Sequence, residues 1–230
     1  MAFSPGFNRN NQEKKEFQKR DYRDPELVEL YKSYAGTGNK EAPQNILDRF
    51  TEIARVLDQF GYTLRTGGFD GPEEYFEKGS SHLELHLPWK DFNKRDSKLT
   101  FTSHEAMEIA RKFHPTFDGL SPAIQKFLAK NVRTLLGKDL KSAVRFVICW
   151  SEDGAETIKE KSFKTGNIGH VLAIASAMRI PVFNFGKPDA EERLRKYLEI
   201  PDGRNNSTRD NSNEHNQPAK RSDYDDSDFF

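Results

Sequence analysis

Three glycine-rich turns contain the residues of this sequence that are best suited to bind an anion. Their glycines are Gly36 and Gly38, then Gly67, Gly68 and Gly71, then Gly166 and Gly169. Each turn precedes a segment with helical periodicity, and backbone N–H groups at such turns and at helix N-termini approach phosphate closely. Any one turn is equally well explained as an ordinary strand-to-helix connection. Together, the three turns predict a phosphate or nucleotide crevice if the fold brings them to one place.

Polar neighbours of these glycines complete the predicted nucleotide-binding set. They are Arg65, Thr66, Thr165, Asn167 and His170. Two carboxylates nearby, Asp70 and Glu73, are candidates for a nucleophile or a general base. Favourable charges at the start of a helix beginning with Pro72 explain both carboxylates equally well.

Other kinds of chemistry find little support in the composition. Cys149 is the only cysteine, and its apolar surroundings predict a buried thiol and exclude an internal disulfide. His82 and His86 lie four residues apart on a predicted strand, and we interpret them as surface residues, so no metal site is predicted.

The first residues include no apolar run, no segment is long enough to span a membrane, and a cytoplasmic location is expected.

The charges are balanced, with 36 basic and 36 acidic residues, so no global field favours nucleic acid. Four basic residues accompany one predicted helix, and we interpret them as a solvated face: Lys126, Lys130, Arg133 and Lys138.

The hydrophobic pattern alternates between strands and helices. Strands are predicted at 62–64, 83–89, 144–150 and 180–185. Helices are predicted at about 45–60, 72–79, 103–113, 123–136, 171–178 and 188–198. Asn45 and either Thr102 or Ser103 are the expected N-caps. A strand–helix–strand unit favours a parallel sheet, in which all strand-to-helix turns lie at one edge.

The predicted fold class is therefore α/β. A single Rossmann-like domain, with a mostly parallel sheet flanked by helices, is expected over residues 33–200. Residues 1–32 are polar and mixed in charge, which predicts a flexible arm, and residues 201–230 have the composition of a disordered acidic tail.

The tail ends in acidic residues and aromatic rings that could dock on a partner. The residues concerned are Asp225, Asp226, Asp228, Phe229 and Phe230. Carboxylates can steer association while rings anchor it in an apolar pocket, much as in the similar tip of single-stranded-DNA-binding proteins. A solubilising acidic end and binding to the protein's own basic groove are the alternatives.

A wider set of motifs resembles a known superfamily. The motifs are Gly36-x-Gly38 with Pro43, Gly61-Tyr62-Thr63-Leu64-Arg65-Thr66-Gly67-Gly68, Phe76-Glu77-x-Gly79, Leu87-Pro88-Trp89, Asn131-Val132, Leu136-Gly137-Lys138-Asp139-Leu140, Val147-Ile148-Cys149-Trp150 with Asp153-Gly154, and Ile180-Pro181-Val182-Phe183-Asn184. In order and spacing they resemble the Rossmann-like SLOG superfamily, closest to phage and bacterial proteins similar to DNA-processing protein A. The resemblance covers residues 34–198.

The resemblance implies binding of a nucleotide or of single-stranded DNA at the glycine turns. The sequence departs from the family at two of these turns, with Gly71-Pro72-Glu73 for Gly-Ala-Asp and Gly166-Asn167-Ile168-Gly169 for Gly-Gly-Thr-Gly. Ile168 replaces a hydroxyl that could bond a phosphate, which implies weaker phosphate binding or a different ligand.

The function that we expect is therefore non-catalytic. The protein is predicted to bind a nucleotide or single-stranded DNA in phage-type replication or recombination, and to dock replication or recombination proteins through the tail. The alternatives are an enzyme that cleaves an N-glycosidic bond and a sensor or sponge for a signalling nucleotide. No cofactor is assigned beyond a bound nucleotide, and a homo-oligomer stays open.

Overall fold

The computed structural model describes residues 32–100 and 103–199. The predicted tail lies outside these ranges, as does the predicted arm apart from Lys32. The predictions made for both segments, including the docking residues of the tail, therefore concern residues outside the described ranges.

Five parallel strands form one sheet in the order β3-β2-β1-β4-β5. The strands are β1 (Ser33–Gly36), β2 (Thr63–Thr66), β3 (Leu83–Leu85), β4 (Phe146–Cys149) and β5 (Val182–Asn184). Every neighbouring pair is parallel, because each crossover from one strand to the next contains at least one helix. The α/β class and the Rossmann-like sheet that the sequence predicts are confirmed.

In the described part of the chain, six α-helices cover the two faces of the sheet. They are α1 (Gln44–Gln59), α2 (Pro72–Gly79), α3 (His104–Lys112), α4 (Pro122–Leu136), α5 (Gly169–Met178) and α6 (Ala190–Leu198). Short 3-10 helices occur at Phe92–Lys94, Phe117–Gly119 and Phe163–Ile168. Among the described residues, no helix combines the length and the apolar character that crossing a membrane would need.

The sheet separates two hydrophobic cores. Successive strand residues point to opposite faces, so Tyr34 packs in the first core and Ala35 in the second. The first core contains buried residues of α1, α2 and α6, and the second contains those of α3, α4 and α5. Because both faces are covered, β4 is a continuous apolar run.

Several helix starts follow local sequence signals. Pro72 occupies the first turn of α2, and the Ser103 hydroxyl accepts a hydrogen bond from the Ala106 N–H at the start of α3. The predicted cap at Asn45 is wrong, because α1 already begins at Gln44 and its N-cap, Pro43, makes no side-chain hydrogen bond.

The third strand is shorter than predicted, and this changes the surroundings of a histidine. β3 ends at Leu85, and His86 forms only an isolated bridge to Leu99. His86 is fully buried, whereas His82 is exposed and contacts Asp58. The interpretation of both histidines as surface residues is therefore wrong for His86, because the chain after β3 folds over it.

The strand order creates a crevice next to β1. The chain leaves β1 towards β2 through α1 on one face, and it leaves β4 towards β5 through α5 on the other face. The connections that follow β1 and β4 therefore lead to opposite faces of the sheet. Open α/β sheets bind ligands at such a topological switch point.

Gly36 is required by packing against the first core. A Cβ atom at this position would lie 2.6 Å from the ring of Phe76. We expect Gly36→Ala to lower the free energy of unfolding by about 1–3 kcal/mol, because α2 would have to shift away from the sheet. Urea unfolding monitored by circular dichroism measures the effect.

Gly119→Ala is the matched control for this substitution, because a Cβ at Gly119 would meet no atom within 4 Å. Its free energy of unfolding should stay close to that of the wild type. Equal stabilities for the two variants would show that Gly36 is not needed for packing.

Candidate ligand pocket at the carboxyl edge of the sheet

The three glycine turns meet around one cavity, which we name the rim pocket. Its volume is about 590 Å³. The loop after β1 contributes Gly38 to Glu41, and the loop after β2 contributes Phe69 and Asp70. The long loop after β4 contributes Trp150, Glu152, Phe163, Lys164, Gly166 and Asn167. The pocket therefore lies at the switch point between β1 and β4.

Hydrogen bonds fix the loop after β1 to the chain after β4. The Thr37 N–H donates to the Ile148 carbonyl at 3.1 Å, and the Asn39 N–H donates to the Trp150 carbonyl at 3.1 Å. The Asn39 side-chain amide also donates to the Thr165 carbonyl at 3.1 Å. These bonds extend the parallel pairing of β1 and β4 into the loops and hold the pocket walls together.

The buried side chain of Glu73 holds the loop after β2 in place through hydrogen bonds. Its carboxylate accepts hydrogen bonds from the backbone N–H groups of Gly67 and Phe69, both at 3.0 Å. It also accepts from the hydroxyls of Thr37 at 3.0 Å and Thr66 at 3.3 Å. A buried carboxylate at the start of α2 therefore joins the glycine turns after β1 and β2.

Lys130 places a cation against this carboxylate. Its Nζ lies 3.7 Å from Glu73 Oε1 and 4.6 Å from the ring centroid of Phe127, and the side chain is only 2% exposed. Burial lowers the pKa of Lys130, and the nearby Glu73 carboxylate opposes that shift. A Cβ at Gly67 would lie 2.1 Å from Nζ, so this glycine makes room for the lysine.

The solvated helix face predicted around Lys130 is therefore wrong in part. Lys126 and Lys138 are exposed as expected, but Lys130 and Arg133 are buried. The cause is tertiary, because Glu73 and the turn after β2 pack against Lys130, and Arg133 donates a hydrogen bond to the Leu99 carbonyl. Charge spacing alone does not contain that information.

Four of the residues singled out from the sequence line the rim pocket. They are Gly38, Asp70, Gly166 and Asn167. Gly166 has a φ of 59°, which favours glycine, and a Cβ there would lie 2.8 Å from the Asn39 amide. Gly71, with a φ of 90°, allows the turn to approach the backbone of Lys40.

Other predicted residues have structural contacts instead. Arg65 points to the second core side, where its Nε donates to Glu84 at 2.7 Å. Thr66 bonds Glu73, and the Thr165 hydroxyl donates to Asp153. Gly36 and Gly68 accommodate apolar side chains of Phe76 and Leu87 respectively, and neither of these two glycines lines the rim pocket.

The aromatic lining of the rim pocket was not anticipated from the sequence. Phe69, Trp150 and Phe163 all border it, and Phe163 is 89% exposed. The sequence contains a phenylalanine three residues before the Gly166 turn, but only the fold shows that its ring is exposed and that the three rings border one cavity. Exposed rings of this kind can stack on a base.

The charges around the rim pocket are mixed. Lys40 and Lys164 face Glu41, Asp70 and Glu152. Lys164 is paired with Glu152, which leaves Lys40 as the pocket's basic group without an ion pair among the described residues. The lining thus offers stacking and hydrogen bonding more than a strong positive field.

A second cavity, which we name the basic groove, adjoins the rim pocket and shares Gly166 and Asn167 with it. Its volume is about 720 Å³. The groove lies between the end of α3, the start of α4 and the start of α5, where Gly169 and His170 border it. The two predicted residues at the start of α5 therefore belong to the groove.

His170 is neutral at physiological pH. Burial lowers its pKa to about 4, and its Nε2 lies 3.3 Å from the Ala110 carbonyl, to which a neutral ring can donate. Its Nδ1 is buried and has no hydrogen-bond partner among the described residues. Ile168 is buried in the second core, so the chain turns this side chain away from both cavities.

Metal and thiol chemistry find no site in the described part of the chain. No cluster of three or more His, Cys, Asp or Glu side chains is placed to hold a metal ion in residues 32–100 and 103–199. Cys149 is buried as predicted, and burial raises its pKa well above the ordinary range for a thiol.

Comparisons with known proteins give no guide to this site. No protein-family model, curated protein or solved structure matches the chain. The resemblance to the SLOG superfamily therefore stays a prediction, and inference of function starts from the geometry of the rim pocket.

Glu73→Gln should destabilise the domain by about 3–5 kcal/mol, because it leaves Lys130 buried without its anion and presents an amide to four hydrogen-bond donors. Urea unfolding measures the change. The neighbouring Glu74→Gln is the matched control, since Glu74 forms only an exposed pair with Lys78. Equal losses in the two variants would contradict the organising role of Glu73.

The lowered pKa of Lys130 predicts a dependence of stability on alkaline pH. Between that pKa and the ordinary lysine value of 10.5, the unfolded chain binds more protons at this residue than the folded chain does. The stability of the wild type relative to Lys130→Met should therefore rise as pH approaches 10.5. Urea unfolding of both proteins across this range is the measurement, and a constant difference would contradict it.

Proposed function

We propose that the rim pocket binds a nucleotide, either free or as one unit of single-stranded DNA. The observation that carries this proposal is the convergence of the loops after β1, β2 and β4 on one cavity at the switch point. The cavity volume of about 590 Å³ lies within the range of small-ligand pockets.

The aromatic side chains of the rim pocket support recognition of a base. Phe163 exposes nearly its whole ring at the mouth, and Trp150 borders the same cavity from the end of β4. Stacking between a base and an aromatic side chain contributes about 1–3 kcal/mol, and it tolerates any base because each has a π-face.

The backbone turns and one lysine support binding of the phosphate. Gly38 and Gly166 border the pocket without side chains, so a ligand can approach the backbone there. Lys40 adds a positive charge at the same rim. The acidic residues around the pocket favour a ligand with few phosphates over a highly charged one, since like charges repel.

The resemblance to the SLOG superfamily supports the same ligand class, and it favours a role as a binding protein in phage-type DNA replication or recombination. Docking of replication or recombination proteins through the tail is part of this proposal. That part depends on the acidic and aromatic residues of the sequence, because the tail lies outside the described residues.

A nucleotide-processing enzyme is the second candidate, and the geometry changes which carboxylate could act. Glu73 is buried and already accepts four hydrogen bonds, so it is poorly placed to be a nucleophile. Asp70 is exposed and borders the rim pocket. Cleavage of an N-glycosidic bond would therefore use Asp70.

Trp150 provides a direct test of binding. The chain has two tryptophans, so Trp89→Phe leaves Trp150 as the single tryptophan, whose emission can be excited selectively above the tyrosine absorption band. We expect mononucleotides or oligo-dT to change its fluorescence, and Phe163→Ala in the same background to weaken binding by about 5- to 150-fold, the equivalent of one lost stacking contact.

Phe60→Ala is the matched control for this test, because Phe60 is about half exposed but lies at the end of α1, away from the rim pocket.

A steep fall in affinity with salt would indicate DNA rather than a free nucleotide. The same titration with cyclic and ADP-ribose-type ligands examines the sensor alternative. Absence of any fluorescence change or calorimetric heat across the whole set would refute the proposal.

The enzymatic alternative makes a separate prediction. If the protein cleaves N-glycosidic bonds, then chromatography should detect free base released from a panel of nucleoside phosphates, and Asp70→Asn should abolish that release without changing stability, because Asp70 is exposed. Glu41→Gln, at another acidic residue of the rim pocket, is the control. Binding without release would leave the non-catalytic proposal standing alone.

A further inference from the structure

The basic groove combines an apolar floor with positive charge. Phe127 and Leu128 of α4 line it, together with Ile124 and Ile158, which are 47% and 42% exposed. Its polar side chains are Lys112, His114, Lys161, Asn167 and His170, and no acidic side chain of the described chain lines it. This composition suits a ligand that presents apolar rings and carboxylates together.

The two lysines of the groove are available for a ligand. Neither Lys112 nor Lys161 forms an ion pair with another described residue. Lys161 also lies across the start of α5, where a Cβ at Gly169 would be 2.8 Å from its side chain. Its charge therefore adds to the positive end of the helix dipole at the same place.

The sequence contains one segment with the complementary chemistry. Asp223–Phe230 carries four aspartates, one tyrosine and two adjacent phenylalanines within eight residues. Its rings match the apolar floor, and its carboxylates match the two lysines. The rim pocket fits this segment poorly, because Glu41, Asp70 and Glu152 would repel it.

We propose that Asp223–Phe230 binds in the basic groove of its own chain. The phenylalanine rings contact the apolar side chains between α3, α4 and α5, and the aspartates lie beside Lys112 and Lys161. This inference is independent of nucleotide binding in the rim pocket, since it concerns a different cavity, but it competes with the proposed docking of partner proteins through the same segment.

The covalent connection is long enough for this binding. Twenty-three residues separate Glu199, which follows α6, from Asp223. They can span at most roughly 75 Å. A domain of roughly 170 residues has a radius of gyration of only about 15 Å. The segment can therefore pass round the β5 edge from the face that carries α6 to the face that carries the groove.

Photo-crosslinking in the full chain tests the proposal. A benzoylphenylalanine at Phe229 should crosslink, at the mass of a single chain and independently of protein concentration, to peptides that contain 112–115, 124–128 or 158–170. Lys112→Glu combined with Lys161→Glu should lower the yield at least fivefold, because the groove charge is reversed. Lys126→Glu combined with Lys138→Glu is the matched control, as these exposed lysines do not line the groove.

A second variant avoids any change to the folded domain. Replacing the four aspartates of the segment with asparagine should lower the yield in the same way. Crosslinks spread over the surface or directed to the rim pocket would overturn the proposal, as would a yield that neither set of charge changes lowers. Crosslinks found only at twice the chain mass would also overturn it, since the segment would then occupy a second copy.

Discussion

The carboxylate of Glu73 is the constraint on which the carboxyl edge of this sheet depends. It receives hydrogen bonds from the turns after β1 and β2 and lies against the ammonium group of Lys130 from α4. A carboxylate in so buried a place is stable only because donors and a cation surround it. The loops that border the rim pocket are therefore fixed from below by the chain itself.

The residues that hold the turns in place differ from the residues that face the rim pocket. Residues beneath the turns, such as Glu73, Thr66 and Thr165, already have partners within the chain. Residues at the surface of the pocket, such as Phe163 and Lys40, face the cavity with rings and charge. Rigid support below and accessible groups above are what a binding site requires, because less conformational entropy is then lost on binding.

The two adjoining cavities differ in charge, and this difference separates the ligands that we propose for them. Mixed charge and three rings make the rim pocket suited to stacking on a base. The basic groove has apolar side chains and two lysines that form no ion pair within the described chain. This lining suits an acidic, aromatic peptide. Both cavities border Gly166 and Asn167, so the long loop after β4 forms part of both proposed binding sites.

The sequence by itself determined the class of the fold and the place of its turns. Alternating strand and helix patterns, Pro72 at a helix start and glycines at strand ends are local signals, and local signals survive in the folded chain. Only the tertiary structure decided which side chains those turns would present. Arg65 lies on the second-core side of the sheet and bonds Glu84, Lys130 is buried, and Phe163 borders the rim pocket. These outcomes depend on contacts between residues far apart in the chain, and no spacing along one segment encodes such contacts.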